Sequence, residues 1–280
     1  MDDNSLFGPE LTREEHRALQ LDILRFVNKY CNDYRIRYFL GDGTLIGAIR
    51  HQGFIPWDDD IDLRMPRPDC LQMISSFNEY AKGTPYCLID PKEERAKHFY
   101  IKIVDTRTIK TELGMNNSNG LLGVDIDIIP LDGCPEEEKD FIKWADNLRS
   151  FNKSYMYKKK TISRAIIGRI KDLFAKRVKG KLLLGMSSSD VMDMIYKIAE
   201  EFPFDKSKYV CAAGIIDRFR VPYECFSDYI LVPFEGEMFR APIGYDEILK
   251  TQYGDYMKLP PKEQQVTHHS NKVYWKKDIK

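Results

Sequence analysis

The sequence contains no C-x-x-C pair. Its six cysteines, Cys31, Cys70, Cys87, Cys134, Cys211 and Cys225, are scattered singly, which argues against a zinc site or a disulfide framework and for reduced thiols. No apolar run approaches the ~20 residues that a spanning helix needs. The opening residues, MDDNSLFGPELTREEH, lack the basic and then apolar regions of a secretion signal, so the expectation is a cytoplasmic protein. Net charge is absent too, with 43 Lys and Arg against 43 Asp and Glu; nothing global draws the chain to nucleic acid or anionic lipid, and any electrostatic function has to be local. Repeats and low-complexity tracts are missing. What remains is a globular composition, 280 residues with 43% hydrophobic, 16 Tyr and 15 Phe, enough for one large domain or a domain with an accessory lobe.

Along the chain, Leu19, Ile23, Phe26, Val27 and Tyr30 recur at helical spacing behind Thr12 and Glu15, a capping-box pair. The stretch from Ile36 to Arg50 reads as strand, glycine turn, helix, with Gly41 and Gly43 at the turn. DDDIDLRMPR follows as a second strand stopped by Pro66 and Pro68, then a helix, then two further β-rich stretches, HFYIKIVDTRT and GVDIDIIPLDG. Mixed strands and helices predict an α/β (α+β) fold over residues 1–135. Residues 136–205 read as a helical, basic accessory region, and residues 206–280 return to strands and complete the domain. Between Asn152 and Lys181 eleven Lys or Arg stand against one acid, Asp172, around an apolar stripe that includes Ile162, Ile166, Ile170 and Phe174. Such a helix either covers the core with a solvated basic face or contacts an anionic membrane.

The chain also crowds four carboxylates into five positions, Asp58, Asp59, Asp60 and Asp62. On a strand, Asp58, Asp60 and Asp62 would share one face and repel. A divalent cation removes that penalty, and oxygen-only ligands favour Mg²⁺ or Mn²⁺. Upstream, Gly41, Gly43 and Thr44 open a helix where backbone N–H groups and a hydroxyl can hold phosphate. Downstream, Asp125 and Asp127 interrupt an apolar strand that normally excludes carboxylates.

A glycine turn at a helix start, a D-x-D strand and a further strand carboxylate together resemble the nucleotidyltransferase fold. GTLIGAIRHQGFIPWDDDIDLRMPR, IDIIPLDG and YGDYMKLPP, in this order, resemble the LicD family, which is related to fukutin-type enzymes and typified by transfer of phosphocholine from CDP-choline to sugars of bacterial surface glycans such as lipopolysaccharide or teichoic acid. The resemblance spans about Gly43 to His268. It implies that Asp60, Asp62 and Asp127 are the catalytic, metal-holding carboxylates, with Asp125 the rival for the third place and Asp58 an outer ligand. Gly43, Thr44 and Arg50 would meet phosphate, a guanidinium matching its geometry. Trp57, Tyr100 and Tyr253 are the aromatic faces open to a quaternary ammonium. His268 and His269 stand where the family often has a histidine, with a base or phosphate role as one choice and a polar tail as the other.

The expected function is therefore a Mg²⁺-dependent phosphotransferase that moves phosphocholine, or phosphoethanolamine, ribitol phosphate or glycerol phosphate, from a CDP-linked donor to a glycan hydroxyl and releases CMP. The expected partners are that donor and a glycan or lipid-linked glycan acceptor, with peripheral contact at the inner membrane face through residues 152–181, and no nucleic acid. Two alternatives stay open: nucleotidyl transfer of NMP to a small acceptor, and a nucleic-acid-binding module using Tyr155, Tyr157 and Phe174 on the basic helix.

Overall fold

A computed structural model describes residues 6–111, 122–159, 186–212, 219–267 and 272–277. After the short strand β1 (Phe7–Glu10), helix α1 (Arg13–Tyr34) starts at the expected capping box: the Thr12 hydroxyl accepts from the Glu15 N–H at 3.2 Å and the Glu15 carboxylate from the Thr12 N–H at 2.8 Å. It ends at Arg35, left-handed with φ 57°. The strand and glycine turn then appear as β2 (Phe39–Leu40) and α2 (Asp42–Ile46). Instead of continuing as a plain helix, α2 passes into a π-helical turn over Gly47–His51, a local widening of the kind found at functional sites.

The chain continues through β3 (Asp62–Pro66), α3 (Arg67–Tyr80), β4 (Tyr86–Ile89), β5 (Ile101–Asp105), β6 (Thr108–Thr111) and β7 (Asp125–Cys134). Beyond it come α4 (Glu138–Lys159), α5 (Ser188–Glu200), β8 (Tyr209–Cys211), β9 (Val221–Pro222), β10 (Tyr229–Phe234), β11 (Glu237–Pro242), α6 (Tyr245–Tyr253) and β12 (Lys272–Lys276). The main sheet runs β2-β3-β7-β5-β4, with β8 and β9 added along the far end of β7. Among the described residues only β3 and β7 pair in parallel within it; its other pairs are antiparallel. This is the mixed α+β architecture that the sequence predicts.

The larger core cluster joins α1, α3 and the inner sheet face to Val232, Phe234, Phe239 and Ala241 of the β10–β11 hairpin, and extends to Val273. A second cluster, with Phe141, Leu148, Tyr155, Val191 and Ile195, holds α4 against α5. Tyr155 lies inside it, its hydroxyl donating to the Pro91 carbonyl at 2.8 Å, so it is not available to stack on a nucleotide. The expected basic helix is described as far as Lys159; residues 160–181, with Phe174, lie outside the described residues. Among the described residues no helix is long and apolar enough to cross a membrane, and all six cysteines are free.

One expectation needs correcting. Asp58 to Ile61 precede the strand, which starts at Asp62. The Asp58 N–H turns back to the Ile55 carbonyl at 3.0 Å, and strand pairing begins only where Gly41 donates to the Asp62 carbonyl and Asp127 to that of Ile61, both at 2.9 Å. The acidic run is a loop that delivers Asp62 to the first position of β3.

Candidate functional site

The site grows out of alternation in three neighbouring strands. Leu63, Ile126, Ile128, Ile101 and Ile103 turn into the core and are at most 1% exposed, which leaves Asp62, Asp125, Asp127 and Lys102 on the opposite face. The register aligns them: Asp62 is the partner of Asp127 across the parallel pair, and Asp127 the partner of Lys102 across the antiparallel one. Two carboxylates and an ammonium therefore stand in a single row across β3, β7 and β5.

Lys102 is buried, and its ammonium contacts both Asp125 and Asp127. Lys110 reaches the other oxygen of Asp125 at 2.7 Å. Burial raises the Asp125 carboxyl, but the two lysines outweigh it and hold the group well below the usual carboxylate range. Asp62 is the opposite case: burial and the charges of Asp60, Asp42 and Asp127 push it well above its usual value, with Arg64 the opposing cation. Tyr100 is hydrogen-bonded to Asp127, and burial with that carboxylate keeps the phenol protonated; its ring lies 5.4 Å from the Lys102 ammonium.

Beside this row, Asp58, Asp59 and Asp60 each bring one carboxylate oxygen to within 4.8 Å of the others. Helix α1 fixes the backbone of their loop. Arg17 donates to the carbonyls of Ile55 at 2.9 Å and Asp58 at 2.8 Å, and the buried Gln20 to those of Asp59 at 3.1 Å and Asp125 at 3.3 Å. On the upstream side the hairpin tip, Glu235 and Gly236 with φ 51° and 80°, takes hold of the turn before the loop: Glu235 donates to the Gln52 carbonyl and accepts from the Phe54 N–H, both at 2.9 Å.

The glycine turn closes the site from below. A β-carbon on Gly43 would stand 2.4 Å from Asp58 Oδ2, so this position needs glycine for close approach. The Thr44 hydroxyl accepts from the Asp62 N–H at 2.9 Å, tying the turn to the strand. Asp42, left-handed at φ 45°, accepts from Arg64 at 2.6 Å and Gln252 at 2.9 Å, while Asp42 Oδ2 and Arg64 Nη1 are buried without a hydrogen-bond partner.

The structure thus gathers Gly43, Thr44, Asp60, Asp62, Asp125 and Asp127. Arg50 instead donates to the carbonyls of Tyr256 at 2.5 Å and Lys258 at 3.5 Å. Trp57 packs against the core and meets the His51 ring edge to face at 6.3 Å. Tyr253, at the end of α6, is 46% exposed. His268 and His269 lie outside the described residues. Sequence reasoning missed Lys102, Lys110, Arg17, Gln20, Asp42 and Arg64. Lys102 did carry a signal, a lysine among the β-branched residues of YIKIVD, which needs a buried acid once that strand is internal.

The donor set fits a divalent cation. It consists of carboxylate oxygens alone, the hard ligands that suit Mg²⁺ or Mn²⁺, and Asp62 sits where the surrounding anions disfavour its charge until a cation balances them.

A family model described as LicD/FKTN/FKRP, nucleotidyltransferase domain, matches residues 35–166, a span that contains the glycine turn, the acidic loop, Lys102 and both strand aspartates. The lipopolysaccharide cholinephosphotransferase LicD of Haemophilus influenzae is 31% identical over 272 residues, covering 95% of this chain and 98% of its own. Mannosyltransferase regulator 4 of Saccharomyces cerevisiae is 28% identical over 120 residues, covering 43% of this chain and 9% of its own.

Proposed function

The chain belongs to the LicD family of transferases, and on that premise we propose that it moves phosphocholine from a CDP-linked donor to a hydroxyl of a surface-glycan precursor and releases CMP. The observation that carries the reading is the row Asp62, Asp127 and Lys102 beside the Asp58–Asp60 loop. Phosphoryl transfer asks chiefly for charge neutralisation and in-line positioning, and this arrangement supplies both. Similarity to a named lipopolysaccharide cholinephosphotransferase over nearly the whole chain supports the choice of group and acceptor class.

Asp60 and Asp62 would hold the divalent ion, with Asp127 the third carboxylate. The ion, when bound, neutralises the donor diphosphate and eases departure of its leaving oxygen. Asp125, committed to two lysines, serves as their counter-charge. The Thr44 hydroxyl, which accepts from Asp62, keeps its own proton to give to a phosphate oxygen. As the acceptor oxygen bonds to the distal phosphorus, its proton passes to Asp127, and the bond to the bridging oxygen breaks so that CMP leaves with the electron pair. The basic stretch over residues 152–181 brings the enzyme to the anionic membrane face where a lipid-linked acceptor is carried, a cytoplasmic protein in peripheral contact; preferential pelleting with anionic over neutral vesicles checks this part.

The test is CMP release from CDP-choline, CDP-ethanolamine, CDP-ribitol and CDP-glycerol, with Mg²⁺, Mn²⁺ or EDTA, beside Asp60→Asn. The expected result is metal-dependent release from CDP-choline that the variant loses. Pyrophosphate production from a nucleoside triphosphate, with no CMP release from any donor, would move the assignment to nucleotidyl transfer.

A further inference from the structure

Three carboxylates and an ion do not by themselves explain why a lysine is built into the same row. Lys102 is 5% exposed and lies on an internal strand, where an ammonium survives only if opposing charges compensate its desolvation. That compensation is complete on one side. The two oxygens of Asp125 are divided between Lys102 and Lys110. The same Lys102 ammonium reaches across to Oδ1 of Asp127, and the Tyr100 hydroxyl also bonds to that carboxylate.

A carboxylate offers about four acceptor sites. Lys102 and Tyr100 use two of those on Asp127, and the remainder are available to other partners. Lys102 is in turn held from behind by Asp125, whose second oxygen is held by Lys110.

We propose that Lys102 is a positioning residue of the transfer reaction: anchored by the Lys110–Asp125 pair, it pins one oxygen of Asp127 so that this carboxylate presents a fixed remaining edge to the ion and the acceptor beside Asp62. The inference rests on the proposed roles of Asp62 and Asp127. It assigns Lys102 no contact with substrate and removes Asp125 from metal ligation. A structure of this kind is pre-organised: the orientation of Asp127 is settled before any ligand arrives.

The sign of one measurement separates positioning from bulk electrostatics. A lysine that acted only as a nearby positive charge would weaken cation binding, so deleting it would tighten the site. A lysine that orients a ligand strengthens binding, and deleting it loosens the site. In Lys102→Met the expected results are Mn²⁺ binding, followed by the electron-spin-resonance signal of free Mn²⁺, weakened at least 5-fold. CMP-release kcat falls at least 10-fold, with KM for the donor within 3-fold. Lys102→Arg recovers a substantial part of both.

Asp125→Asn, which keeps side-chain shape and removes the anchoring charge while Asp127 still compensates Lys102, is the second variant, should Lys102→Met fail to fold. It is expected to lower kcat 3- to 10-fold while Mn²⁺ still binds. Tighter or unchanged Mn²⁺ binding in Lys102→Met overturns the proposal, as does abolished Mn²⁺ binding in Asp125→Asn, which would make Asp125 a direct ligand. A rise in donor KM with kcat unchanged would turn Lys102 into a substrate contact and equally overturn it. Because Mn²⁺ binding needs no donor, absence of CMP release in the unmodified protein would count against the transfer reading and leave the positioning result standing on its own.

Discussion

The carboxylate of Asp58 rests directly over Gly43, with 2.4 Å between its Oδ2 and the place where a β-carbon at residue 43 would be. The glycine turn and the acidic loop are therefore one fitted pair, although fifteen positions separate them in the chain. The fit makes their contributions to stability and to activity separable.

Gly43→Ala places a methyl group against the end of a flexible side chain, not against backbone. Alanine is also ~0.5–1 kcal/mol better than glycine inside a helix. The expected outcome is a melting temperature within a few degrees of the unmodified protein and at least 10-fold lower transfer activity, because Asp58 has to move. Thermal melts beside CMP-release assays check it; an active Gly43→Ala enzyme would show that the position of Asp58 is immaterial.

Asp62 is where function opposes stability. Burial and three neighbouring carboxylates disfavour its charge, so Asp62→Asn, nearly the same shape without the charge, relieves the repulsion. In EDTA the variant is expected to melt a few degrees above the parent, a shift of ~2–4 °C for each kcal/mol in a chain of this size. Adding Mg²⁺ or Mn²⁺ should raise the melting temperature of the parent and leave that of the variant unmoved, with activity lost. Calorimetry with and without the ion decides the matter.

His16 supplies a pH dependence. Burial, followed by the nearby Lys110, lowers its ring from 6.5 to about 4, and the charges of Asp125 and Asp59 recover only part of the shift. Between these values the unfolded chain binds a proton that the folded one does not, so stability falls as the pH drops from 6.5 towards 4, by ~1.4 kcal/mol per unit and ~3 kcal/mol in all. Above 6.5 the linkage vanishes. His16→Gln should flatten this part of the stability curve, as denaturant melts at pH 7.5, 6 and 5 would register; parallel curves for the two proteins would contradict the assignment.

The buried pair between Arg67 and Asp132, bidentate at 2.7 and 2.6 Å, lies under the guanidinium–Tyr196 contact at 5.0 Å. Removing either partner strands a charge in the interior. Arg67→Met or Asp132→Leu alone is expected to cost ~3–5 kcal/mol, whereas the double variant regains much of that. Equilibrium unfolding of the three variants gives the coupling energy, and additive losses would contradict it.

Much of this site could be read from local sequence. Thr12 and Glu15 announced the start of α1, Gly41 and Gly43 the turn, and Asp125 and Asp127 betrayed themselves as charges in an apolar strand. What local sequence could not supply was partnership. Asp58 to Asp60 alternate as a strand would, yet they form a loop, because strand state depends on neighbours that begin pairing only at Asp62. Arg17 and Gln20 look like ordinary helix residues, and their bonds to carbonyls 38 to 105 positions away leave no mark in composition or period. Lys102 was visible as an anomaly, but its meaning required knowing that β5 lies beside β7.

The small sheet in which β12 lies between β1 and β6 carries a consequence for how the enzyme comes into being. Glu10 pairs with Tyr274, 264 positions later. At ~5–20 residues per second, β1 leaves the ribosome on the order of 15–50 s before the strand that completes it exists. Helix α1, which follows β1 and steadies the acidic loop, spends that interval with its leading end unfastened. Strand β12 thus fastens the leading end of α1, where the Leu11 N–H donates to the Val273 carbonyl at 2.8 Å, and a nascent chain short of β12 carries the helix of Arg17 and Gln20 without that fastening.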